Sequence, residues 1–330
     1  MTQTNQTNKT VSDTLVLEKQ KILDAIGLEC KYEKENCLIR RWEGSEDTDS
    51  FIAHISNGKS NFIGVLNGKL DRNGYGINTY ENGDVCFGYF EKDKRDKHGV
   101  YIWPTEEKNG SKNDEMYYGF WKENVRDHHG IYLWMKNYTD SISFEEISFD
   151  AYVGTIADDR FKKGTYLLKV KDEYFLYYGG FYVNGMKNDN DAMYYSGKFD
   201  RLMKGKIVNE VFTEGYVAFF NANGKISNIV YVEFEGKEKI KKMTMKENIN
   251  EEERKKNEEK MITFRNIILG EDYFGEIFKR YREIKNFIKE NMHTIDVLDD
   301  KEKFPDITKL CVGYNMKNIY SDIENKMKIK

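Results

Sequence analysis

Residues able to do chemistry are present, but their spacing assembles no reaction centre. His128 and His129 follow Asp127 and precede Gly130. A zinc site would need further ligands beside them, so they read as loop residues. The four cysteines, Cys30, Cys37, Cys86 and Cys311, form no C-x-x-C pair and have no histidine cluster beside them. They indicate neither a zinc site nor a disulfide framework. Asp158 and Asp159 are adjacent carboxylates and read as solvated turn residues. No serine or cysteine sits in a nucleophile elbow, and no phosphate-binding loop or nucleotide-binding glycine fingerprint occurs. The chain therefore reads as non-catalytic, with no cofactor and no metal.

Composition narrows the remaining classes. Charged residues make up 33% of the 330 residues, yet the net charge is only −4. That balance gives no reason to expect nucleic acid. The basic run from Lys237 to Lys246 has acidic neighbours and reads as a solvated helix face. The first residues are rich in Thr, Asn and Gln, with no apolar signal core, and no stretch approaches the ~20 apolar residues of a membrane span. The expectation is a cytoplasmic protein in a reducing compartment. Aromatics reach 14%, rich for so polar a chain, and with the glycines they point to short strands and tight turns rather than disorder.

The elements that would position these rings repeat. An aromatic, any residue, glycine, any residue and a large apolar residue recur as FIGVL, CFGYF, YYGFW, YVGTI, YYGGF and YSGKF. Their central glycines are Gly64, Gly88, Gly119, Gly154, Gly179 and Gly197. Most copies have a second glycine ten to twelve residues later, at Gly76, Gly99, Gly130 and Gly164. Two and four positions beyond these come Tyr101 and Trp103, Tyr132 and Trp134, and Tyr166 and Leu168, with Asn78 and Tyr80 in the first copy. Spacing of two places each pair on one face of a strand. Each repeat is thus expected to be a β-hairpin whose glycine admits a ring from the neighbouring hairpin. A polar loop of six to eight residues would join its strands. Asn82–Gly83 and Asn223–Gly224 suit tight turns with positive φ.

The pattern resembles the MORN repeat, whose consensus is Y-x-G-x-W followed by G-x-G and a later glycine. The best copy runs from Phe62 to Asp84, with Gly74-x-Gly76 and then Gly83. It departs by one inserted residue and by Phe62 in place of tyrosine. In later copies Lys97 and His128 occupy the first position of the glycine pair. The resemblance covers about residues 60 to 210. It implies a mainly β fold, an elongated single-layer array of antiparallel β-hairpins, with an N-terminal helix and a C-terminal helical extension.

Three regions follow: 1–50, an N-terminal helix and capping strands; 51–234, the hairpin array; and 235–330, a charged linker with C-terminal helices. Thr10 to Leu28 reads as the first helix, with Ser12 as N-cap and Gly27 as stop. Cys37 to Trp42 and Phe51 to Ile55 read as strands. Tyr216 to Phe220 and Ile226 to Phe234 form a closing hairpin. Gly236 to Lys260 suits an exposed helix or a linker. Glu271 to Met292 is the clearest helix, with Phe274, Ile277, Phe278, Tyr281, Ile284 and Ile288 on one face. That face is expected to pack on the final hairpin, with homodimerisation as the alternative. A last short helix is read from Asn315 to Lys328.

The expected function is a scaffold that binds a protein partner, at the cytoskeleton, cell cortex or a cilium. The partner-binding aromatics would be Trp103, Trp121, Tyr132 and Trp134. The alternative is a peripheral membrane module binding anionic phosphoinositide lipids, which the family resemblance also suggests. Mixed charge in Lys92 to Asp96 favours the protein partner.

Overall fold

The structure is a computed structural model that describes residues 37–41, 50–56, 59–104, 113–181, 185–234, 243–245, 250–270 and 273–291. The helices expected at Thr10–Leu28 and Asn315–Lys328 lie outside these residues. The chain divides into two units, one ending at Tyr101 and one beginning at Ile102.

The first unit holds β1 (Cys37–Arg41), β2 (Phe51–Ser56), β3 (Ser60–Leu66), β4 (Arg72–Tyr80), β5 (Val85–Glu91) and the start of β6 (Lys94–Pro104). These pair antiparallel with their chain neighbours, as consecutive hairpins. The second unit continues with β7 (Asp114–Lys122), β8 (Val125–Lys136), β9 (Ser148–Ala157), β10 (Arg160–Val170), β11 (Glu173–Gly180) and β12 (Asp189–Ser196). It closes with β13 (Arg201–Val208), β14 (Val211–Phe220), β15 (Ile226–Phe234), β16 (Met243–Met245), α1 (Glu251–Gly270) and α2 (Tyr273–Asn291). Its strands also pair antiparallel in chain order, and the sheet does not close on itself. The protein is therefore mainly β, built from successive hairpins with two helices after them.

The hairpins are tighter than the expected six- to eight-residue loops. Two residues suffice: Lys92–Asp93, Glu123–Asn124, Asp158–Asp159 and Asn209–Glu210, all with φ between 49° and 74°. Paired positive φ is the I′ turn, whose twist matches that of the flanking strands. None of these turns uses glycine, so turn-seeking by Asn-Gly passes over them. Contacts with a neighbouring strand hold them instead. Asp93 Oδ1 accepts from Arg72 Nε at 3.0 Å and from the Arg72 backbone at 2.9 Å. Asp159 holds Arg126 in the same way, at 2.7 and 2.9 Å. Glu210 accepts from the Lys187 backbone at 3.4 Å. Asp159 is thus more than a solvated turn residue. Lys97 and His128, which stand where the best copy has Gly74, also have positive φ, 54° and 58°. The backbone demand persists there without the glycine.

Glycines face glycines across the strands. Gly64 pairs with Gly76, and Gly76 with Gly88. In the second unit the row runs Gly119, Gly130, Gly154, Gly164 and Gly179. The ring that needs this space comes from the same strand, two residues earlier, not from the neighbouring hairpin. A Cβ on Gly119 would lie 2.4 Å from Tyr117 Oη, and one on Gly130 would lie 2.4 Å from Tyr117 Cε2. The ring lies along its own strand over both glycines. Its hydroxyl then donates to the carbonyl of Phe120, three residues on, at 2.9 Å. Tyr152 to Thr155 and Tyr177 to Gly180 repeat the bond, each at 2.7 Å.

The last repeat glycine departs from expectation. β12 ends at Ser196, and Gly197–Phe199 is a turn of 3-10 helix closed by Asp200 with φ 39°. The next glycine pair in the sheet is Gly205 with Gly215. Met203 and Val217 stand where the rings would be, so a search for aromatic-x-Gly cannot see this hairpin.

The helices cover one face of the second unit. Asn250 caps α1, accepting from the backbone of Glu252 at 2.9 Å. Of the stretch read as an exposed helix or a linker, residues 251–260 are helical and mostly exposed, and beyond them Met261 and Phe264 of α1 are buried. The face of α2 that carries Phe274, Ile277, Phe278, Tyr281 and Ile284 is buried within the chain. Its partners are not the final hairpin. Phe274 meets Phe149 and Tyr174, Phe278 meets Phe144, and Tyr281 meets Tyr138. Tyr281 donates to Asp114 at 2.5 Å and Lys285 reaches the same oxygen at 2.6 Å. β13, β14 and β15 are contacted by α1 instead.

Candidate functional site: the aromatic face of the second unit

Side chains alternate across the sheet, so the rings two residues before or after the glycines of the row share the face away from the helices. One cross-strand row reads Tyr117, Tyr132, Tyr152, Tyr166, Tyr177 and Tyr194. Most of this row is an inner layer. Tyr117 and Tyr152 are fully buried, and Tyr132 is 7% exposed. Over it lie half-buried rings. Trp103 stacks on Tyr132 at 5.6 Å, and Trp134 leans on Tyr132 at 4.4 Å. Phe161 stacks on Tyr152 at 4.1 Å and meets Trp134 edge-on at 5.8 Å. Phe181 packs edge-on against Tyr177 at 5.4 Å.

Carboxylates fix the phenols. Tyr132 donates to Glu115, and Tyr166 donates to Asp150 at 3.0 Å. Burial raises the pKa of both tyrosines, and the neighbouring carboxylate raises it further. They remain neutral hydrogen-bond donors at any physiological pH. Three cations of this face are paired. Arg126 lies 5.1 Å from the Tyr132 centroid while bound to Asp159, and Lys187 lies 4.5 Å from that of Tyr166 beside Glu210 at 3.7 Å. Lys136 pairs with Asp150 at 3.1 Å. Apolar rings with a satisfied polar rim can bind by burying area and stacking, with no bond made or broken.

The structure brings together three of the four rings singled out from sequence. Trp103, Tyr132 and Trp134 form one contact chain, in which the two tryptophans are the accessible members. Trp121 is 2% exposed and packs edge-on against Tyr117 at 5.0 Å, so it supports the inner layer. Phe161 escaped notice because it sits outside the repeat frame, and Phe181, the fifth residue of the YYGGF copy, was not singled out. Phe161 adjoins a bulge in β10, which breaks the alternation that sequence spacing relies on. The acids had a readable signal: Asp84, Glu115 and Asp150 each stand four residues before a repeat glycine. His128 lies in the bulge before Gly130 and pairs with Asp127 at 2.9 Å. No helix among the described residues is long and apolar enough to cross a membrane.

Compared with protein-family models and with curated proteins, the chain matches none.

Proposed function

We propose that the chain is a non-catalytic interaction protein of MORN-like repeats, whose outer aromatic face binds a protein partner. The observation that carries this reading is the two-layer arrangement of rings. The inner tyrosines satisfy the fold, and Trp103, Trp134, Phe161 and Phe181 lie half-buried above them. Tryptophan and tyrosine on a pre-packed surface supply contact area at little entropic cost, and such anchors dominate interface energies. The pairing of Arg126, Lys136 and Lys187 with acids speaks for a protein surface over anionic lipid, which calls for uncompensated cations. A scaffold at the cytoskeleton, cortex or a cilium is the setting we propose.

The test is site-specific photo-crosslinking from position 103 or 134 in cells, followed by mass spectrometry. A partner captured from both positions, and lost in Trp103→Ala and Trp134→Ala chains of unchanged melting temperature, is the expected result. Retention of every crosslinked partner by both variants, or binding only to phosphoinositide vesicles, would count against it.

A further inference from the structure

The ring face of the second unit also carries a charge that the fold leaves unanswered. Two residues beyond the tyrosine row, one cross-strand row reads Phe175, Ser196, Arg201 and Phe219. Alternation puts these side chains on the same face as Tyr177 and Tyr194. The neighbouring charges are all engaged. Asp200 turns to Arg265 of α1 on the opposite face, at 2.9 and 2.6 Å. Lys198 is taken by Glu173 at 2.6 Å. Arg201 has neither a carboxylate nor a hydrogen-bond acceptor among the described residues. Its guanidinium lies 5.3 Å from the centroid of the Phe199 ring.

The apolar side chains beside it are open to solvent. Phe199, on the 3-10 turn between β12 and β13, is 60% exposed, and Phe219, opposite Arg201 on β14, is 37% exposed. A single exposed apolar residue is ordinary. Two exposed rings around an unpaired arginine have the make-up of an interface centre, where aromatics and arginine are enriched. The charge then selects the occupant. A neutral segment laid over these rings would bury Arg201 without a partner, which is costly. A carboxylate answers it with paired, charge-assisted hydrogen bonds to the guanidinium fork. An anionic membrane surface is held by clusters of several cations, whereas here Lys198 is already neutralised by Glu173.

We infer that the β12–β14 end of the ring face docks an acidic segment of the protein partner, with an aspartate or glutamate on Arg201 and apolar side chains over Phe199 and Phe219. This rests on the reading of the ring face as a protein-binding surface and adds the chemistry of the partner. The carboxylate fixes the segment's position, and the flanking apolar groups cover the two rings and exclude water from the ion pair.

The experiment selects a displayed library of random linear peptides on the full-length chain and on its Arg201→Gln and Trp134→Ala variants, with phosphatidylserine vesicles as a separate arm. Arg201→Gln should melt with the natural chain, since the guanidinium holds no ion pair in the fold. The pool from the natural chain is expected to be enriched in aspartate or glutamate beside aromatic or aliphatic residues. That enrichment should vanish on Arg201→Gln. A synthesised member of the pool should bind Arg201→Gln about tenfold or more weakly, and should move the NMR signal of the Arg201 Nε–H on the natural chain. Its counterpart with amides in place of the carboxylates should lose as much on the natural chain, a comparison that needs no variant to fold. Peptides that need Trp134 but show no acidic bias would overturn the acidic partner and leave the ring-face reading standing. Peptides that need Arg201 but not Trp134 would support the docking point and remove Trp134 from it. Equal acid enrichment on Arg201→Gln, no enriched peptide at all, or binding confined to the vesicles would each overturn the inference.

Discussion

At the scale of the residue, the tyrosine two places before each glycine does several things at once. It covers two glycines, satisfies a backbone carbonyl and supports the outer rings. The glycine cannot be replaced without moving backbone: a Cβ on Gly119 would stand 2.6 Å from the His129 carbonyl and 2.7 Å from Gly130 Cα. Gly119→Ala is expected to cost about 1–3 kcal/mol by overpacking. Gly197, outside the row, would bring its Cβ no closer than 3.2 Å to Tyr174 O. Gly197→Ala should therefore cost clearly less in denaturant unfolding, and equal costs would contradict the assignment of the row. Lys169 is a second such residue. It is fully buried, and its ammonium donates to the carbonyls of Glu145 at 3.2 Å, Ile147 at 3.0 Å and Lys171 at 2.5 Å. These bonds pin the loop that carries Phe144 under α2. Lys169→Met keeps the stem's packing but strips these carbonyls of their donor, for an expected loss of about 1–3 kcal/mol.

At the scale of the element, each helix is fastened to the sheet by charge as well as by apolar burial. Arg265 of α1 donates to Asp200 at 2.9 and 2.6 Å, and Tyr195 donates to the same carboxylate at 3.1 Å. The Arg265 hydrogen bond, more than any other influence, holds the Asp200 carboxyl below its usual range. A folded pKa below the unfolded one means that the stabilisation is complete above the unfolded value and is lost as pH falls through the folded value. Helix docking should therefore weaken below roughly pH 4, the ordinary range of an aspartate. Asp200→Asn should be less stable at neutral pH, and its melting temperature should depend less on pH in that acid window. Parallel pH profiles for the two proteins would refute the latch. Asp114 plays a corresponding part for α2, where Tyr281 and Lys285 converge on one oxygen.

At the scale of the molecule, the covered face of α2 bears on self-association. Phe274, Ile277 and Tyr281 find partners within the chain, so a second copy is not needed to bury them. The full chain is expected to sediment as a monomer. A chain ending after Phe234 should lose the cover over Phe149 and Tyr178, melt lower and aggregate on standing. A full-length dimer that becomes monomeric on this truncation would reverse the assignment.

Periodicity in the sequence determined the hairpin class, five of the six repeat glycines, the shared face of Trp103, Tyr132 and Trp134, and the apolar stripe of α2. These follow from local rules: a period of two for strands, 3.6 for helices, and glycine where a ring lies against backbone. Other features depended on contacts between residues far apart in the chain. The two-residue turns carry no glycine because Arg72 and Arg126 hold Asp93 and Asp159 from strands 21 and 33 residues away. Bulges shifted Phe161 into the ring layer, out of the alternating frame. Trp121 and Trp134 look alike in sequence, yet packing buried the first and left the second accessible. The cover over α2 came from Phe149 and Tyr174 rather than from the strand next to it in sequence, because burial rewards whichever apolar surface the fold brings opposite.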